Sequence, residues 1–186
     1  MFSVRLIMRA VSLAALLGLA GCDGITDDLR PSGDDNRPSV EVGIIGSNVG
    51  QIAPDFTLED TVYVPHTLNT ELSEPGVTGV VLYFTMWCPI CDTHMSHMRA
   101  NVMPNFPDVS FFLVDFVSGS VAASRSAQLS NGYGGIETLV DSDQIVFDLY
   151  DASMGTTVVI DGTGNIVRMN EDYKDGVKLI ETLEAL

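Results

Sequence analysis

Trp87-Cys88-Pro89-Ile90-Cys91 is the stretch of sequence that decides the fold. A continuous apolar run at residues 80–84 leads into it, and a helical pattern over residues 89–98 follows. This order predicts a buried strand, a two-cysteine turn and a helix. In that setting, two cysteines separated by two residues are typical of redox chemistry.

The two thiols are expected to have different roles. Cys88 would lie at the helix N-terminus, where free backbone N–H groups and a partial positive charge favour the thiolate. Reactive cysteines in such motifs have pKa values of roughly 3.5–7.5, against about 8.5 for a free cysteine. Pro89 suits the first helical turn, where its missing N–H is no loss. We therefore interpret Cys88 as the attacking thiol and Cys91 as the resolving thiol.

Two other interpretations of the cysteine pair are a structural disulfide and half of a zinc site. A structural zinc usually needs a second pair of ligands at similar spacing, and the sequence has no other pair of cysteines. A structural disulfide rarely spans so short a gap at the start of a helix. Redox chemistry is the interpretation that the strand–turn–helix context favours.

The first 21 residues have the pattern of a secretory leader. Two arginines (Arg5 and Arg9) precede an apolar stretch at residues 10–20, which is too short to span a bilayer comfortably. Leu19-Ala20-Gly21-Cys22 resembles a bacterial lipobox, which implies cleavage before Cys22 and a lipid on that cysteine. An ordinary secretory signal with a chance cysteine is the alternative. Asp23 suggests attachment on the periplasmic side of the inner membrane.

The predicted mature chain consists of an acidic tether at residues 22–45 and one domain at residues 46–186. Loss of the two leader arginines changes the formal net charge from −16 to −18. Such an acidic surface argues against nucleic acid and against electrostatic docking on anionic lipid. We expect a monomer whose contact with the membrane is the N-terminal lipid.

The segment Ala53-Pro54-Asp55-Phe56-Thr57-Leu58, thirty residues before the cysteine motif, resembles the opening of the redoxin (AhpC/TSA) superfamily. That superfamily holds peroxiredoxins and TlpA-like, membrane-anchored thiol–disulfide oxidoreductases. The resemblance covers roughly residues 46–186. It implies an α/β thioredoxin fold, with three layers and a mixed central sheet, preceded by a redoxin-type N-terminal strand and turn. A terminal helix is expected after Asp175, with one apolar face formed by Val177, Ile180, Leu183 and Leu186.

The family usually carries a cis-proline opposite the disulfide, and Gly155 aligns with that position. The Met154–Gly155 bond is therefore expected to be trans, in a more open and mobile loop. The resemblance implies that the substrate meets the residues around the thiols and this loop: Trp87, Pro89, Met154, Gly155 and Thr156. If Met154 is extended, Gly155→Pro is expected to stabilise the fold by roughly 0.4–1 kcal/mol.

A proton acceptor for the thiols is the other departure from the family. Thioredoxin has a buried acid six residues before the first cysteine, and Leu82 stands there in this chain. TlpA-like reductases often have a glutamate three residues after the second cysteine, where this chain has His94. We interpret His94 as a catalytic proton acceptor, with a solvent-facing histidine as the alternative. His97 is expected to be a surface or packing residue.

Two further functions stay open beside disulfide exchange. A set of soft ligands suits Cu(I), which would make the chain a copper-handling metallochaperone, although methionines at helical spacing usually form core: Met86, Cys88, Cys91, His94, Met95, His97 and Met98. No other metal or cofactor is expected. A peroxiredoxin-like peroxidase is the second alternative. Thr85 has the right spacing for it, but Val81 replaces the proline of that motif.

The preferred function is thiol–disulfide exchange through a mixed disulfide. The expected partners are protein disulfide substrates and an upstream redox protein that returns electrons to the pair. Asp92, directly after the motif, works against thiolate formation at Cys88. A less stabilised thiolate means a more reducing couple, so we expect the protein to act as a reductant.

Overall fold

The computed structural model describes residues 39–86, 88–170 and 173–186. The predicted leader, the lipid-bearing Cys22, most of the predicted tether and Trp87 lie outside these ranges. Residues 40–186 belong to one compact unit. No helix within the described ranges is both long enough and apolar enough to cross a membrane.

Within these ranges, seven strands form one mixed sheet in the order β2-β1-β5-β4-β3-β6-β7. Strands β3, β4 and β5 are parallel, whereas β1, β6 and β7 pair antiparallel with their neighbours. The strand bounds are Thr57–Asp60 (β1), Pro65–Thr67 (β2), Gly79–Thr85 (β3), Val109–Asp115 (β4), Glu137–Val140 (β5), Thr157–Asp161 (β6) and Ile166–Asn170 (β7).

Helices cover both faces of the sheet. On one face Leu68 and Val146 join a core cluster with Leu82 of β3, and on the other Met95 and Leu179 join a second cluster. The α-helices are Leu68–Ser73 (α1), Pro89–His97 (α2), Val121–Ser130 (α3), Ile145–Leu149 (α4) and Val177–Leu183 (α5). This arrangement confirms the predicted three-layer α/β thioredoxin fold.

Strand β3 is the centre of this arrangement, and all seven of its residues are buried. Alternate side chains of a strand point to opposite faces of the sheet. Leu82 and Phe84 therefore belong to one core cluster, while Val81 and Tyr83 belong to the other, which also holds Cys91 of α2. The continuous apolar run at residues 80–84 thus reflects a strand covered on both faces.

The segment before β1 is hydrogen-bonded to the far end of the sheet. Gly43 N donates to Gly50 O at 2.9 Å, which closes a turn. Ala53 N donates to Gly164 O at 2.8 Å, in the turn between β6 and β7. Hydrogen-bonded backbone therefore begins three residues before Gly46, where the sequence places the start of the domain.

The last helix differs from the prediction. Leu179 and Leu183 are its buried residues, whereas Val177 is 50 % exposed and Leu186 is 39 % exposed. The helix ends at Leu183, so Leu186 does not extend its apolar face. Two residues of the predicted face, Ile180 and Leu183, pack against the core cluster, whereas Val177 and Leu186 do not. Leu179 is the buried residue that the prediction missed.

Candidate active site

The two cysteines lie at the junction between β3 and α2. Cys88 has extended backbone angles (φ −118°, ψ 123°), and the helix begins at Pro89. The Cys88 carbonyl accepts the first helical hydrogen bond, from Asp92 N at 3.0 Å. Proline at the first helical position fixes φ and removes an N–H that would have no partner there. The local sequence thus places Cys88 at the mouth of the helix and Cys91 one turn inside it.

The Cys88 thiol is partly exposed, and its pKa is lowered. The largest cause is a hydrogen bond from the Cys91 thiol, followed by one from the Cys91 backbone N–H. The Ile90 N–H adds to this effect, while partial burial and the negative charge of Asp92 oppose it. The net result favours the thiolate, which is the attacking form of a thiol.

Cys91 lies in the opposite environment. It is buried, and burial is the largest cause that raises the pKa of its thiol. The hydrogen bond to Cys88 raises it further, while the Thr85 and Tyr83 hydroxyls lower it. The Thr85 hydroxyl is buried near Cys91 and has no hydrogen-bond partner of good geometry. Cys91 therefore holds its proton until a neighbouring group takes it.

Tyr83 connects Cys91 to His94, a role that the sequence did not indicate. The Tyr83 hydroxyl lies 3.0 Å from His94 Nδ1, and its proximity to the Cys91 thiol lowers the pKa of that thiol. Its side chain is fully buried in β3, and burial strongly raises the pKa of the phenol. A neutral phenol between a thiol and an imidazole can pass a proton from one to the other.

Two histidines of α2, His94 and His97, both contact Tyr173. The rings of His94 and Tyr173 lie 5.1 Å apart, and His97 Nδ1 lies 3.0 Å from the Tyr173 hydroxyl. Burial raises the pKa of Tyr173 to about 12. His94 and His97 are both half-buried. The hydrogen bond to the Tyr173 hydroxyl fixes the position of the His97 ring.

The loop at residues 153–156 lies beside Tyr83, with a trans bond between Met154 and Gly155. A Cβ atom added to Gly155 would lie 3.9 Å from the Tyr83 hydroxyl. Gly155 N donates to Phe84 O at 2.7 Å, and Phe84 N donates to Thr156 O at 2.9 Å. The loop is therefore fastened to β3, with Met154 exposed and Thr156 buried.

This geometry shows that the expected stabilisation by Gly155→Pro is wrong. Gly155 has φ +92°, whereas proline requires about −65°. Proline would also remove the N–H that donates to Phe84 O. The expected stabilisation depended on the conformation of Met154, whereas the φ of Gly155 itself is incompatible with proline.

The methionines of the possible copper set are buried. Met95 is fully buried and Met98 nearly so, both within the core cluster beneath α2, and Met86 is 1 % exposed. Among the described residues, neither cysteine belongs to a group of three His, Cys, Asp or Glu side chains with ligand atoms within 4.8 Å of one another. Cu(I) binding therefore stays a prediction that rests on residue types.

The chain matches one protein family and is similar in fold to several solved structures. A family model described as the AhpC/TSA family matches residues 49–169. No curated protein matches the chain in sequence.

Solved structures of similar fold include three thiol-based proteins. A candidate protein disulfide isomerase from Bacteroides thetaiotaomicron has TM-score 0.63 and 23 % identity, covering 74 % of this chain and 88 % of its own. Peroxidoxin BcpB from Mycobacterium tuberculosis has TM-score 0.61 and 22 % identity, covering 74 % and 97 %. A secreted M. tuberculosis disulfide oxidoreductase homologous to E. coli DsbE has TM-score 0.57 and 21 % identity, covering 70 % and 96 %.

Proposed function

The chain belongs to the AhpC/TSA family, and from this we propose that it is a thiol–disulfide oxidoreductase acting through Cys88 and Cys91. The contrast between the two thiols is the observation that supports this function. Cys88 is accessible with a lowered pKa, and Cys91 is buried with a raised pKa. An enzyme that forms a mixed disulfide needs one thiol that attacks the substrate and a second that stays protonated until it resolves the mixed disulfide.

The first step is attack by the Cys88 thiolate on one sulfur of a substrate disulfide. The Cys88–substrate bond forms as the substrate S–S bond breaks, and the released sulfur leaves as a thiolate that takes a proton from solvent. Cys91 then attacks the sulfur of Cys88 and releases the second substrate thiolate. The substrate gains two electrons, and the two cysteines are oxidised to a disulfide.

Resolution requires that Cys91 lose its proton, and the Tyr83–His94 pair supplies a route. Cys91 gives its proton to the Tyr83 oxygen while Tyr83 passes its own to His94 Nδ1, 3.0 Å away. Burial keeps the phenol neutral, so Tyr83 serves as a carrier and His94 as the acceptor. The role assigned to His94 from the sequence is thus retained, with Tyr83 between it and the thiol.

We propose the reducing direction, with an upstream redox protein supplying two electrons per cycle. Asp92 opposes the Cys88 thiolate but has a smaller effect than the hydrogen bonds from Cys91, which lower the pKa of Cys88 overall. Because stabilised thiolates characterise strong oxidants, the reduction potential decides the direction. The reduction potential is expected to lie nearer to about −270 mV, as in thioredoxin, than to about −120 mV, as in DsbA. Equilibration with glutathione or dithiothreitol measures it, and a value near that of DsbA would reverse the proposed direction.

The proposed location is the periplasmic face of the inner membrane, held by a lipid on Cys22. This rests on the leader pattern, the lipobox and Asp23. Cys22→Ser is expected to release the protein from the membrane fraction of the producing bacterium. Unchanged membrane association would exclude a lipid on Cys22 as the anchor.

Reduction of insulin by dithiothreitol tests the activity, with Cys88→Ser as the control. Activity is expected in the native chain and not in Cys88→Ser. Cys91→Ser is expected to accumulate a mixed disulfide on Cys88, which non-reducing electrophoresis detects. Equal insulin reduction by the native chain and Cys88→Ser would exclude the proposed nucleophile.

A peroxidase is the second candidate, favoured by the family and by a threonine three residues before Cys88. In this structure the Thr85 hydroxyl acts on Cys91 and not on the more exposed Cys88. A peroxidase would also need an arginine to orient the peroxide. Arg99 donates a hydrogen bond to Gly132 O, and Arg125 donates one to Gln128 Oε1. Single-turnover oxidation by hydrogen peroxide distinguishes the two, because rapid oxidation by peroxide and slow reaction with insulin would favour the peroxidase.

A further inference from the structure

A second group of chemically active side chains lies near the edge of the sheet formed by β2 and β1, away from the cysteines that follow β3. Asp60 ends β1, His66 lies on β2, and Glu137 begins β5. Their ligand atoms all lie within 4.8 Å of one another. Strands β5 and β4 separate β1 from β3, so this group is remote from the thiol site.

The distances are those of groups that converge on one point. His66 Nε2 lies 3.2 Å from Glu137 Oε1 and 3.9 Å from Asp60 Oδ2. Ligands at 2.0–2.2 Å from a tetrahedral zinc lie about 3.3–3.6 Å from one another. The distance from His66 to Glu137 already matches, and that from His66 to Asp60 needs to shorten by about half an ångström. Asp60 and Glu137 have ligand atoms at most 4.8 Å apart and need to approach by up to about 1.5 Å. Glu137 is the half-exposed member, so its side chain has room to move.

Neighbouring groups fix the positions of Asp60, which is buried, and His66, which is partly buried. His66 Nδ1 lies 2.8 Å from Glu71 Oε1, which directs Nε2 towards Asp60 and Glu137. Asp60 Oδ1 accepts hydrogen bonds from Val62 N and Val64 N, each at 2.8 Å, which leaves Oδ2 facing the histidine. A carboxylate behind a histidine and a fixed carboxylate beside it are typical of the surroundings of metal ligands.

His66 Nε2 is the observation that points to a bound ligand. The atom is buried and has no hydrogen bond of good geometry, although Glu137 lies 3.2 Å away. With Nδ1 directed at Glu71, Nε2 faces the two carboxylates, so one nitrogen and two oxygens converge on a space that a cation can occupy.

We propose that Asp60, His66 and Glu137 bind one divalent transition-metal ion, with Glu71 as the positioning residue for His66. One imidazole and two carboxylates suit Zn²⁺, which accepts both kinds of ligand at a tetrahedral centre. A cavity of about 250 Å³ shares Asp60 and Glu137, so solvent can supply the fourth ligand. The ion would join β1, β2 and β5 and fasten the N-terminal hairpin to the sheet.

The test uses the untagged full chain with Cys22, Cys88 and Cys91 replaced by serine, so that no thiol competes for the metal. After treatment with EDTA, ZnCl₂ is titrated by calorimetry. One ion per chain is expected, with a rise in the melting temperature. His66→Gln is expected to weaken binding by more than the 10–100-fold typical of an outer partner, and Glu71→Gln by 10–100-fold.

His97→Gln is the matched control, because His97 is a half-buried histidine bonded to Tyr173, away from this group. Its zinc affinity is expected to equal that of the cysteine-free chain. If His66→Gln fails to fold by circular dichroism, Glu137→Gln decides, since Glu137 is half-exposed. Absence of binding at tenfold excess, or equal affinity in Glu137→Gln and the parent chain, would overturn the proposal.

Discussion

Tyr83→Phe tests the proton route most directly. The substitution removes one hydroxyl, which lies 3.0 Å from His94 Nδ1 and contacts Cys91, and leaves the buried ring in place. A typical hydrogen bond contributes about 0.5–1.5 kcal/mol to stability, so the fold should survive. Positioned proton-transfer groups contribute 10²–10⁴-fold, and we expect resolution to slow by about 10²-fold, the low end of that range.

Single-turnover kinetics with a chromogenic disulfide separate the two steps. The rate of attack by Cys88 should not change, because the Tyr83 hydroxyl lies near Cys91 and forms no hydrogen bond with the attacking sulfur of Cys88. The mixed disulfide should then persist, and acid quenching followed by mass spectrometry detects it. His94→Gln should show the same defect, and the double variant should be no slower than either single one.

Tyr133→Phe is the matched control for this experiment. Tyr133 is buried in the core cluster that holds Cys91, and its hydroxyl has no hydrogen-bond partner. Its removal should leave both steps unchanged. Resolution in Tyr83→Phe at the rate of Tyr133→Phe would refute the proton route, whatever the change in stability.

The thiol site supports three other predictions. Gly155→Pro should lower the free energy of unfolding by more than about 1 kcal/mol, because it opposes φ +92° and removes the bond to Phe84 O; an unchanged urea midpoint would contradict this. In the reduced protein, the lowered pKa of Cys88 makes its thiolate stabilising above pH 9.0, and this contribution disappears as the pH falls through the folded pKa. The urea midpoint of the native chain relative to Cys88→Ser should therefore rise with pH, and a flat difference would argue against a lowered pKa. Iodoacetamide should label Cys88 below pH 9.0 and leave Cys91 unmodified.

Local patterns in the sequence predicted most of the framework. The apolar run at 80–84, the cysteine turn and the helix after it appear as β3 and α2. Helix α3 begins after Ser120, whose hydroxyl accepts a hydrogen bond from Ala123 N at 3.2 Å. These features depend on a few consecutive residues, which is why the sequence is sufficient for them.

Features that depend on distant residues could not be predicted in this way. Helix α1 (Leu68–Ser73) is short, and only Leu68 is buried, so it has almost no apolar pattern. Asp60, His66 and Glu137 come from three strands, and only the pairing of β1 with both β2 and β5 brings them together. No spacing in the sequence predicts such a group.

Tyr83 shows why a site residue can be hidden inside a predicted strand. Residue 82, where thioredoxin has its acid, is leucine in this chain. A fully buried strand has no polar–apolar alternation to tell which residues face the helix that carries the thiols. In the structure Leu82 faces the other core cluster, while Tyr83 faces Cys91. The leucine therefore packs the core on the far face, and the next residue along the strand provides a polar group at the buried thiol.

A phenol there costs less to bury than a carboxylate, since it stays neutral, but it cannot act as the base that accepts the proton. That is the physical reason for a second group, His94, on the far side of its hydroxyl.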